Sequence, residues 1–458
     1  MKQRRGLASA AIVFLVAFLC VAVAFFAVND GKDIPFPFIE TTTEPTTTEP
    51  TTTEPPPPTV TSTATIRSVG DVLIHIPVFQ SAKQSDGTYD FSHLFKYCKD
   101  IIKDSDYFVA NLETTLGGTG RKYSGFPRFN SPDAIVDALK GAGVDCLLTA
   151  NNHTYDTNGP GVLRTIDIIE DRGLDHTGTR KTTDDIQYLI KKINGIKFGF
   201  VNYTYETPTS EGRKALNGLI VDSETAPLIN SFKPDKPADF YSELESNMKK
   251  MKKKGADVIV VYIHWGEEYQ LNQNTKQEEI AQAICDLGAD VIIGGHPHVV
   301  QPIDLLTSTD GKHKTVCVYS LGNFMSNQRR NLMGLKTGHT EDGLMFEMNF
   351  SRYSDGSVVF DSIDAIPTWV HLYSSGGKRL HAIVPLEGNL DSKAEKLGLN
   401  LSSDGLSLAK ASKERTNALV TEGEKKCNKY LKSLPRPDET FYTQQETTSS
   451  YDATSLAY

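Results

Sequence analysis

The stretch QEEIAQAICDLGADVIIGGHPH, residues 277–298, contains one complete structural unit. Gln277 to Leu287 has the apolar spacing of a helix, and Val291 to Ile293 is a short apolar run typical of a buried strand. The polar loop that follows places His296 and His298 on either side of a proline. Helix, strand and polar loop in this order predict an α/β fold whose strand ends carry the functional residues.

The same unit occurs three more times upstream, each time with a polar residue after the strand. The copies are helix 91–103 and strand 107–110 before Glu113, helix 132–142 and strand 144–148 before Asn152 and His153, and helix 240–254 and strand 258–263 before His264. An earlier strand, Thr65 to Val69, leads into Asp71. Ligands of open α/β sheets gather outside the carboxyl ends of the strands, so these side chains are expected to converge.

The converging residues are of the types that bind divalent metal ions: carboxylates, imidazoles and an amide oxygen. They predict a site for two divalent ions, Mn, Zn or Fe, whose excess positive charge would attract an anion. Two alternatives stay open, because Gly70-Asp71 is also a common strand-to-turn step and His75 also suits an apolar core. The candidate ligands are Asp71, His75, Glu113, Asn152, His264, His296 and His298.

Residues near the candidate ligands are of types that serve catalysis or bind substrate. His153 could protonate a leaving group and Asp156 could orient its imidazole, although an aspartate after a loop is as often a cap or turn residue. The candidate substrate contacts are Asn111, Arg128, Trp265, Glu267 and Asn323. Each has an open alternative as a turn residue, an ion-pair partner, a core aromatic or, for Glu267, a partner of a ligand histidine.

Composition divides the chain into parts. Lys2, Arg4 and Arg5 precede an apolar run from Gly6 to Val28, which predicts a membrane-spanning anchor with its N-terminus inside and the rest of the chain extracytoplasmic. A cleavable signal is the alternative. Thr-Thr-Thr-Glu-Pro repeats then predict an extended linker. The predicted parts are the anchor at 1–30, a disordered linker at 31–62, the α/β domain at 63–390, a helical extension at 391–435 and a disordered tail at 436–458.

The charge balance disfavours a nucleic-acid partner. The chain has 48 Lys and Arg against 57 Asp and Glu, a formal net charge of −9. The basic run from Lys249 to Lys254 is better explained as a solvated helix face. An acidic surface would repel a polyanion except near bound metal ions, so the affinity for such a polymer should depend on metal.

Four motifs lie in the middle of the chain: GFPRFNSP (125–132), ANNHTYD (150–156), HWG (264–266) and SLGNF (320–324). Together they resemble the CapA family of capsule and poly-γ-glutamate synthesis proteins, over roughly Thr65 to Leu386. That family is similar in fold to calcineurin-like metallophosphoesterases. The resemblance therefore implies two mixed sheets packed as a sandwich and flanked by helices, in a membrane-attached extracytoplasmic protein that serves synthesis, export or attachment of poly-γ-glutamate.

The resemblance also implies an assignment of the ligands. It places Asp71, Glu113 and His298 at one ion, with His75 in place of a histidine that the pattern expects two residues after Asp71. It places Asn152, His264 and His296 at the other ion, with Glu113 bridging both and His153 as an acid beside them. This chain departs from the metallophosphoesterase pattern in two ways. His75 lies four residues after Asp71 instead of two, and Asn111-Leu112-Glu113 replaces the usual Gly-Asp.

Two classes of function remain open. One is a metal-dependent hydrolase or transferase acting on a phosphoester or a γ-glutamyl bond. The other is a non-catalytic subunit that binds polymer or serves as a scaffold beside other membrane subunits of a capsule synthase or export complex.

Overall fold

The computed structural model describes residues 56–210 and 212–438. The predicted anchor, most of the predicted linker and the chain beyond residue 438 lie outside these ranges. No helix within them is both long and apolar enough to cross a membrane.

Strands form most of the described framework. In chain order they are β1 (Val60–Val72), β2 (Tyr107–Asn111), β3 (Cys146–Leu148), β4 (Asp175–Thr177), β5 (Leu189–Ile193), β6 (Ile196–Tyr205), β7 (Ala215–Leu216), β8 (Leu219–Ile220), β9 (Ser231–Phe232), β10 (Val258–His264), β11 (Val291–Gly295), β12 (Ile303–Thr307), β13 (Lys314–Val318), β14 (Asn323–Met325), β15 (Asp342–Tyr353), β16 (Val358–Ser375) and β17 (Lys378–Pro385).

The helices lie between and after these strands. They are α1 (Ile76–Ala82), α2 (Lys99–Lys103), α3 (Ala134–Ala142), α4 (Asn158–Asp171), α5 (Ala238–Lys253), α6 (Thr275–Asp286), α7 (Arg330–Met333), α8 (Leu390–Lys393) and α9 (Gly405–Lys432), with 3-10 turns at Ser92–Phe95, Ala226–Leu228 and His339–Glu341.

Fifteen of these strands form two mixed sheets, and β7 and β8 pair as a separate hairpin. The first has the order β17-β16-β15-β1-β2-β3-β4, with β14 paired to β1, and the second has the order β12-β13-β11-β10-β6-β5, with β9 paired to β6. Strands β1 to β4 run parallel, as do β6, β10, β11 and β13. Parallel strands bring their carboxyl ends to one edge, so each sheet presents its polar loops there.

The two sheets pack face to face over a shared apolar core. Ile66 and Val109 of the first sheet meet Phe200, Val260 and other residues of the second in one buried cluster. All seven residues of β10 are buried, because the other sheet covers one face and helices α5 and α6 cover the opposite face. Helices α1 to α4 cover the outer face of the first sheet. The predicted α/β sandwich of two sheets flanked by helices is confirmed.

The predicted helix over residues 91–103 is not continuous. A 3-10 turn at Ser92–Phe95 is followed by the short helix α2. Leu94, Phe95 and Ile102 still point into the apolar layer on the first sheet, as one regular helix would also place them, so their spacing does not reveal the break. The other predicted helices and strands of the four units are present, with ends shifted by a few residues.

The ends of the predicted domain continue into their neighbours. Strand β1 begins at Val60, inside the predicted linker, where it pairs with Tyr353 of β15. Helix α9 packs on β16 and adds Val420, Cys427 and Leu431 to the core between the sheets. The domain boundaries themselves stay predictions.

Gly70 lies where two chain segments approach closely under the polar loops. A Cβ atom added there would lie 1.9 Å from the carbonyl oxygen of Gly322. We expect Gly70→Ala to lower the free energy of unfolding by about 3 kcal/mol, measured by urea denaturation of the full chain. Gly120→Ala is the control, because its added Cβ meets nothing within 4 Å. Equal midpoints for the two variants would contradict the expectation.

Candidate metal centre

The candidate ligands converge from both sheets at one edge of the sandwich. Asp71 lies near the end of β1 and Glu113 follows β2, while His264 ends β10 and the loop after β11 carries His296 and His298. The carboxylates thus come from the first sheet and the three imidazoles from the second. All five side chains are almost completely buried.

Two groups of ligand atoms share Glu113. In one group, atoms of Asp71, Glu113 and His264 lie within 4.8 Å of one another, and in the other so do atoms of Glu113, His296 and His298. His264 Nε2 lies 3.4 Å from Glu113 Oε1, and His298 Nδ1 lies 3.1 Å from Asp71 Oδ2. A carboxylate shared by two such groups has the position that a bridging ligand needs.

Amide side chains hold the centre in place. Asn152 Oδ1 lies 2.8 Å from His264 Nε2, so this predicted ligand lies beside the first group. Asn111 donates from Nδ2 to Asp71 Oδ1 at 2.8 Å, and Asn151 donates to Asn111 Oδ1 at 3.2 Å. The predicted substrate contact Asn111 therefore orients the carboxylate of Asp71.

The polar atoms at the centre fit bound cations. Both carboxylate oxygens of Glu113 and Nδ1 of His296 are buried without a hydrogen-bond partner among the described residues. Leaving a buried polar atom unpaired costs about 1–3 kcal/mol, and a charged one costs more. Divalent ions would satisfy all three atoms, because carboxylate oxygen and neutral imidazole nitrogen are their usual ligands.

The acidities agree with this fit. Burial, followed by the neighbouring Asp71 carboxylate, raises the pKa of Glu113 well above its ordinary value of 4.5. Burial would also raise the pKa of Asp71, but His298 and Asn111 hold it below 3.8. Burial lowers the pKa of His264 to about 3 and that of His296 well below 6.5. These two imidazoles therefore keep the neutral form that binds a metal ion.

The loop after β11 adopts a backbone conformation that residues other than glycine rarely take. His296 and His298 have φ angles of 98° and 57°. Each such residue costs on the order of 1–3 kcal/mol, which is tolerated mainly at functional sites. Gly295 just before them leaves room for Asp71, whose Oδ1 would lie 3.0 Å from an added Cβ.

His75 lies outside both groups of ligand atoms. It precedes helix α1, accepts a hydrogen bond from the backbone N–H of Asn327 at 3.3 Å and packs edge-on against Phe129. Burial lowers its pKa to about 4. Its role as a ligand stays a prediction.

His153 and Asp156 form a pair beside the centre. His153 Nδ1 lies 2.7 Å from Asp156 Oδ2, and the same carboxylate oxygen accepts from the backbone N–H of Phe129 at 2.6 Å. The Phe129 ring packs edge-on against that of His153. The imidazole is therefore fixed in orientation, with Nδ1 toward the carboxylate and Nε2 away from it.

Comparison with known proteins identifies the family of this chain. Residues 65–328 match the family model described as bacterial capsule synthesis protein PGA_cap. The chain belongs to this family. It is 29% identical over 269 residues to the capsule biosynthesis protein CapA of Bacillus anthracis, covering 58% of this chain and 60% of that protein. It is 30% identical over 264 residues to the PGA biosynthesis protein CapA of Bacillus subtilis (strain 168), covering 57% and 62%.

The resemblance to CapA proteins inferred from the motifs is thereby confirmed. The matched part spans about three fifths of the length of these two relatives. A solved structure, that of TT1561 of Thermus thermophilus, aligns over 63% of this chain and 94% of that chain, with 10% identity and a TM-score of 0.31.

The remaining predicted substrate contacts of this capsule synthesis family member lie in different surroundings. Arg128 and Glu267 are exposed, and Glu267 lines a pocket together with His296. Trp265 is buried, and its Nε1 donates to the carbonyl oxygen of Tyr319 at 2.9 Å. Asn323 is buried and donates to the carbonyl oxygens of His298 and Thr340. Trp265 and Asn323 thus stabilise the backbone around the centre through these hydrogen bonds, and their contact with substrate stays a prediction.

Sequence reasoning missed two residues at the centre of this PGA_cap protein. Glu268 Oε1 lies 4.0 Å from His298 Nε2, and Asn217 Nδ2 lies 3.4 Å from His153 Nδ1. Glu268 directly follows a predicted candidate and could have been found by extending that motif. Asn217 lies in the turn of the hairpin formed by β7 and β8. Its Asn-Gly pair is a sequence signal for a hairpin turn, but the sequence does not indicate that this turn packs beside His153.

We expect Asn217→Ala to lower turnover about tenfold, because Asn217 Nδ2 also donates to the carbonyl oxygen of Pro127 at 2.8 Å and so fixes the surroundings of His153. The measurement is hydrolysis of an alkyl phosphodiester or a γ-glutamyl alkylamide, because an effect that acts through His153 shows only with a leaving group that needs a proton. Asn194→Ala is the matched control, because Asn194 also has a positive φ and precedes a glycine in a hairpin turn, but it bonds Thr63 instead. Equal turnover in both variants would remove Asn217 from the site.

Proposed function

We propose that the chain acts in capsule or poly-γ-glutamate synthesis as a metal-dependent hydrolase or transferase at a phosphoester or γ-glutamyl bond. The observation that carries the proposal is Glu113, whose two buried oxygens have no hydrogen-bond partner among the described residues and which belongs to both groups of ligand residues. A carboxylate in this position is costly without cations and suited to two of them. The anionic polymer would be drawn to the cations.

Asp71, Glu113, Asn152, His264, His296 and His298 are the residues that would hold the ions. When bound, two divalent ions lower the pKa of water and neutralise charge on a phosphoryl or acyl oxygen. The ligands lie at the carboxyl edge of both sheets, so substrate would enter over the polar loops. His75 lies apart from both groups and is not needed to hold either ion in this proposal.

His153 is proposed to donate a proton to the leaving group. Asp156 accepts from Nδ1 and so leaves Nε2 as the atom that can hold and release the proton. Phe129 limits the ring to one orientation. This arrangement serves a leaving alkoxide or amine equally well, so the choice between phosphoester and amide does not follow from it.

We also propose that residues 1–30 anchor the protein in the cell membrane in a single pass, with the main domain extracytoplasmic. Support comes from the basic residues before the apolar run. Protease added to intact cells should then digest the domain from outside, while protection of the domain would argue against this orientation.

The test of the function is metal analysis and turnover on the same sample. We expect the purified full chain to hold about two divalent ions, and to cleave a phosphoester or γ-glutamyl amide only while they are bound. Chelator treatment followed by addition of Mn²⁺ or Zn²⁺ should remove and restore turnover. A chain that stays empty in added metal would overturn the proposal.

The second candidate is a non-catalytic subunit that binds polymer or supports a membrane synthase. The position of His75 outside both groups favours it, because a less complete set of ligands suits binding better than turnover. This candidate predicts metal-dependent binding of poly-γ-glutamate with no turnover of any probe. Polymer binding that a chelator leaves unchanged would contradict both candidates' use of the centre.

A further inference from the structure

A pocket of about 320 Å³ adjoins the metal centre on the side of His296. The end of β6, strand β9, the loop after β10 and the start of α6 form its walls. Its residues include Tyr205, Glu206, Phe232, Asp235, Glu267 and His296. The ring of Tyr205 lies 4.7 Å from that of His296, so the pocket and the centre share a wall.

Glu206 gives this pocket an unusual polar group. Its side chain is buried, with 7% of the residue exposed, and Oε1 accepts from Ser231 Oγ at 2.8 Å. Oε2 is buried and has no hydrogen-bond partner among the described residues. A desolvated carboxylate with one free oxygen favours a ligand that brings positive charge and hydrogen-bond donors.

The charges around the pocket favour a cation as well. Glu206, Asp235 and Glu267 supply three carboxylates. Lys276 at the rim is bound by Glu279 at 2.8 Å, which does not line the pocket. Lys214 is within electrostatic reach of Glu206, but its Nζ donates to the carbonyl oxygens of Ala226 and Ile229. The pocket therefore repels carboxylates, although the proposed polymer is rich in them.

The other walls suit an organic cation. Tyr205 and Phe232 offer aromatic rings, and Pro208 and Pro234 add apolar surface. An ammonium group beside aromatic faces is attracted by the negative charge on the face of the ring. A third metal ion is disfavoured, because in the described residues the acids and histidines whose ligand atoms converge are those of the centre itself. The pocket thus combines a buried carboxylate and a charged rim with aromatic and apolar walls.

We propose that this pocket binds an ammonium group of the substrate, with Glu206 as its main partner. The inference rests on the proposed function and deepens it: in a γ-linked glutamate chain, the end that carries a free ammonium is the amino end. That ammonium is separated from the first γ-carbonyl by only a few bonds, and the α-carboxylate on the same carbon would face out of the pocket, toward the cations. Seated beside His296, the ammonium would present the first γ-glutamyl bond to the centre, so the protein would act at the amino end of the polymer.

The test compares three γ-linked glutamate trimers: one with a free amino end, one N-acetylated and one N,N-dimethylated, which keeps the charge. Binding to the purified full chain is measured by calorimetry. We expect the free and dimethylated trimers to bind at least tenfold more tightly than the acetylated one. Glu206→Gln should weaken binding of the charged trimers about tenfold and leave the acetylated trimer unchanged.

Two further variants keep the result interpretable. Asp235→Asn lies at the exposed rim, poses little risk to folding and should weaken the charged trimers two- to threefold. Glu245→Gln removes an exposed charge from α5 outside the pocket and should change nothing. Equal binding of charged and acetylated trimers to the native protein, or an equal loss of both in Glu206→Gln, would overturn the proposal.

The same titrations in chelator-treated protein separate this proposal from the proposed function. If selectivity for the ammonium end persists while no metal-dependent turnover is found, the ammonium pocket is supported and the proposed enzyme activity is rejected. If turnover is found without that selectivity, the enzyme activity is supported and the ammonium pocket is rejected.

Discussion

Glu113→Gln should change the stability of the metal-loaded and the chelator-treated protein in opposite directions. With ions bound, the carboxylate joins both groups of ligand atoms, so its loss should release metal and abolish turnover. Without ions, the same carboxyl group is buried beside Asp71 with no hydrogen-bond partner among the described residues. Neutral glutamine removes the cost of holding there either a charge or the proton that cancels it, and we expect it to stabilise the chelator-treated protein by about 1–3 kcal/mol.

The pH dependence follows from the raised pKa of Glu113, which is due first to burial and then to Asp71. The folded ion-free protein holds this proton more tightly than the unfolded chain does. Its stability should therefore fall as the pH rises from about 4.5 toward the raised pKa, and Glu113→Gln should flatten that fall.

Thermal unfolding with and without chelator, together with elemental analysis, measures these effects. Glu267→Gln is the control, since it removes an exposed acid near the centre without touching either group. If Glu113→Gln kept its metal, or if it destabilised the chelator-treated protein, Glu113 would not be the shared ligand.

His153→Asn should lower turnover about 10²- to 10⁴-fold while the metal content stays unchanged. The loss has a specific pattern if His153 supplies a proton. Substrates with an alkoxide or amine leaving group should show the full loss. p-Nitrophenyl substrates, whose leaving group needs no proton, should show a much smaller one.

Comparison of the two substrate classes therefore decides the role of His153. Asp156→Asn should show the same pattern more weakly, because the carboxylate only orients the imidazole. His176→Gln, on β4 and paired with Glu170, is the control histidine. An equal loss for both substrate classes would assign His153 to positioning rather than to proton transfer.

The regular part of the fold could be predicted from the sequence because each unit repeats one pattern. β10 is a run of β-branched residues ending in His264, and α6 begins at a capping box formed by Asn274 and Gln277. Such local signals need no knowledge of distant contacts. The break in the helix over residues 91–103 was missed, because the apolar spacing of Leu94, Phe95 and Ile102 fits one continuous helix equally well.

The candidate site was predictable in its residue types but not in its grouping. A loop after a parallel strand identifies His296 and His298 as candidates. Which carboxylate each imidazole faces depends on how the two sheets dock, and that register is not local. The hairpin that brings Asn217 to His153, and the buried Glu206, depend on tertiary packing in the same way.

The division of ligands between the sheets gives the ions a mechanical role. Asp71 and Glu113 belong to one sheet and His264, His296 and His298 to the other, so bound ions would tie together segments far apart in the chain. The described cysteines are all free and buried, so no disulfide does this within those residues. The ions would act as a reversible cross-link that shrinks the unfolded ensemble much as a disulfide does. Metal withdrawal would then loosen one sheet against the other, and the supply of metal would set the lifetime of the folded protein.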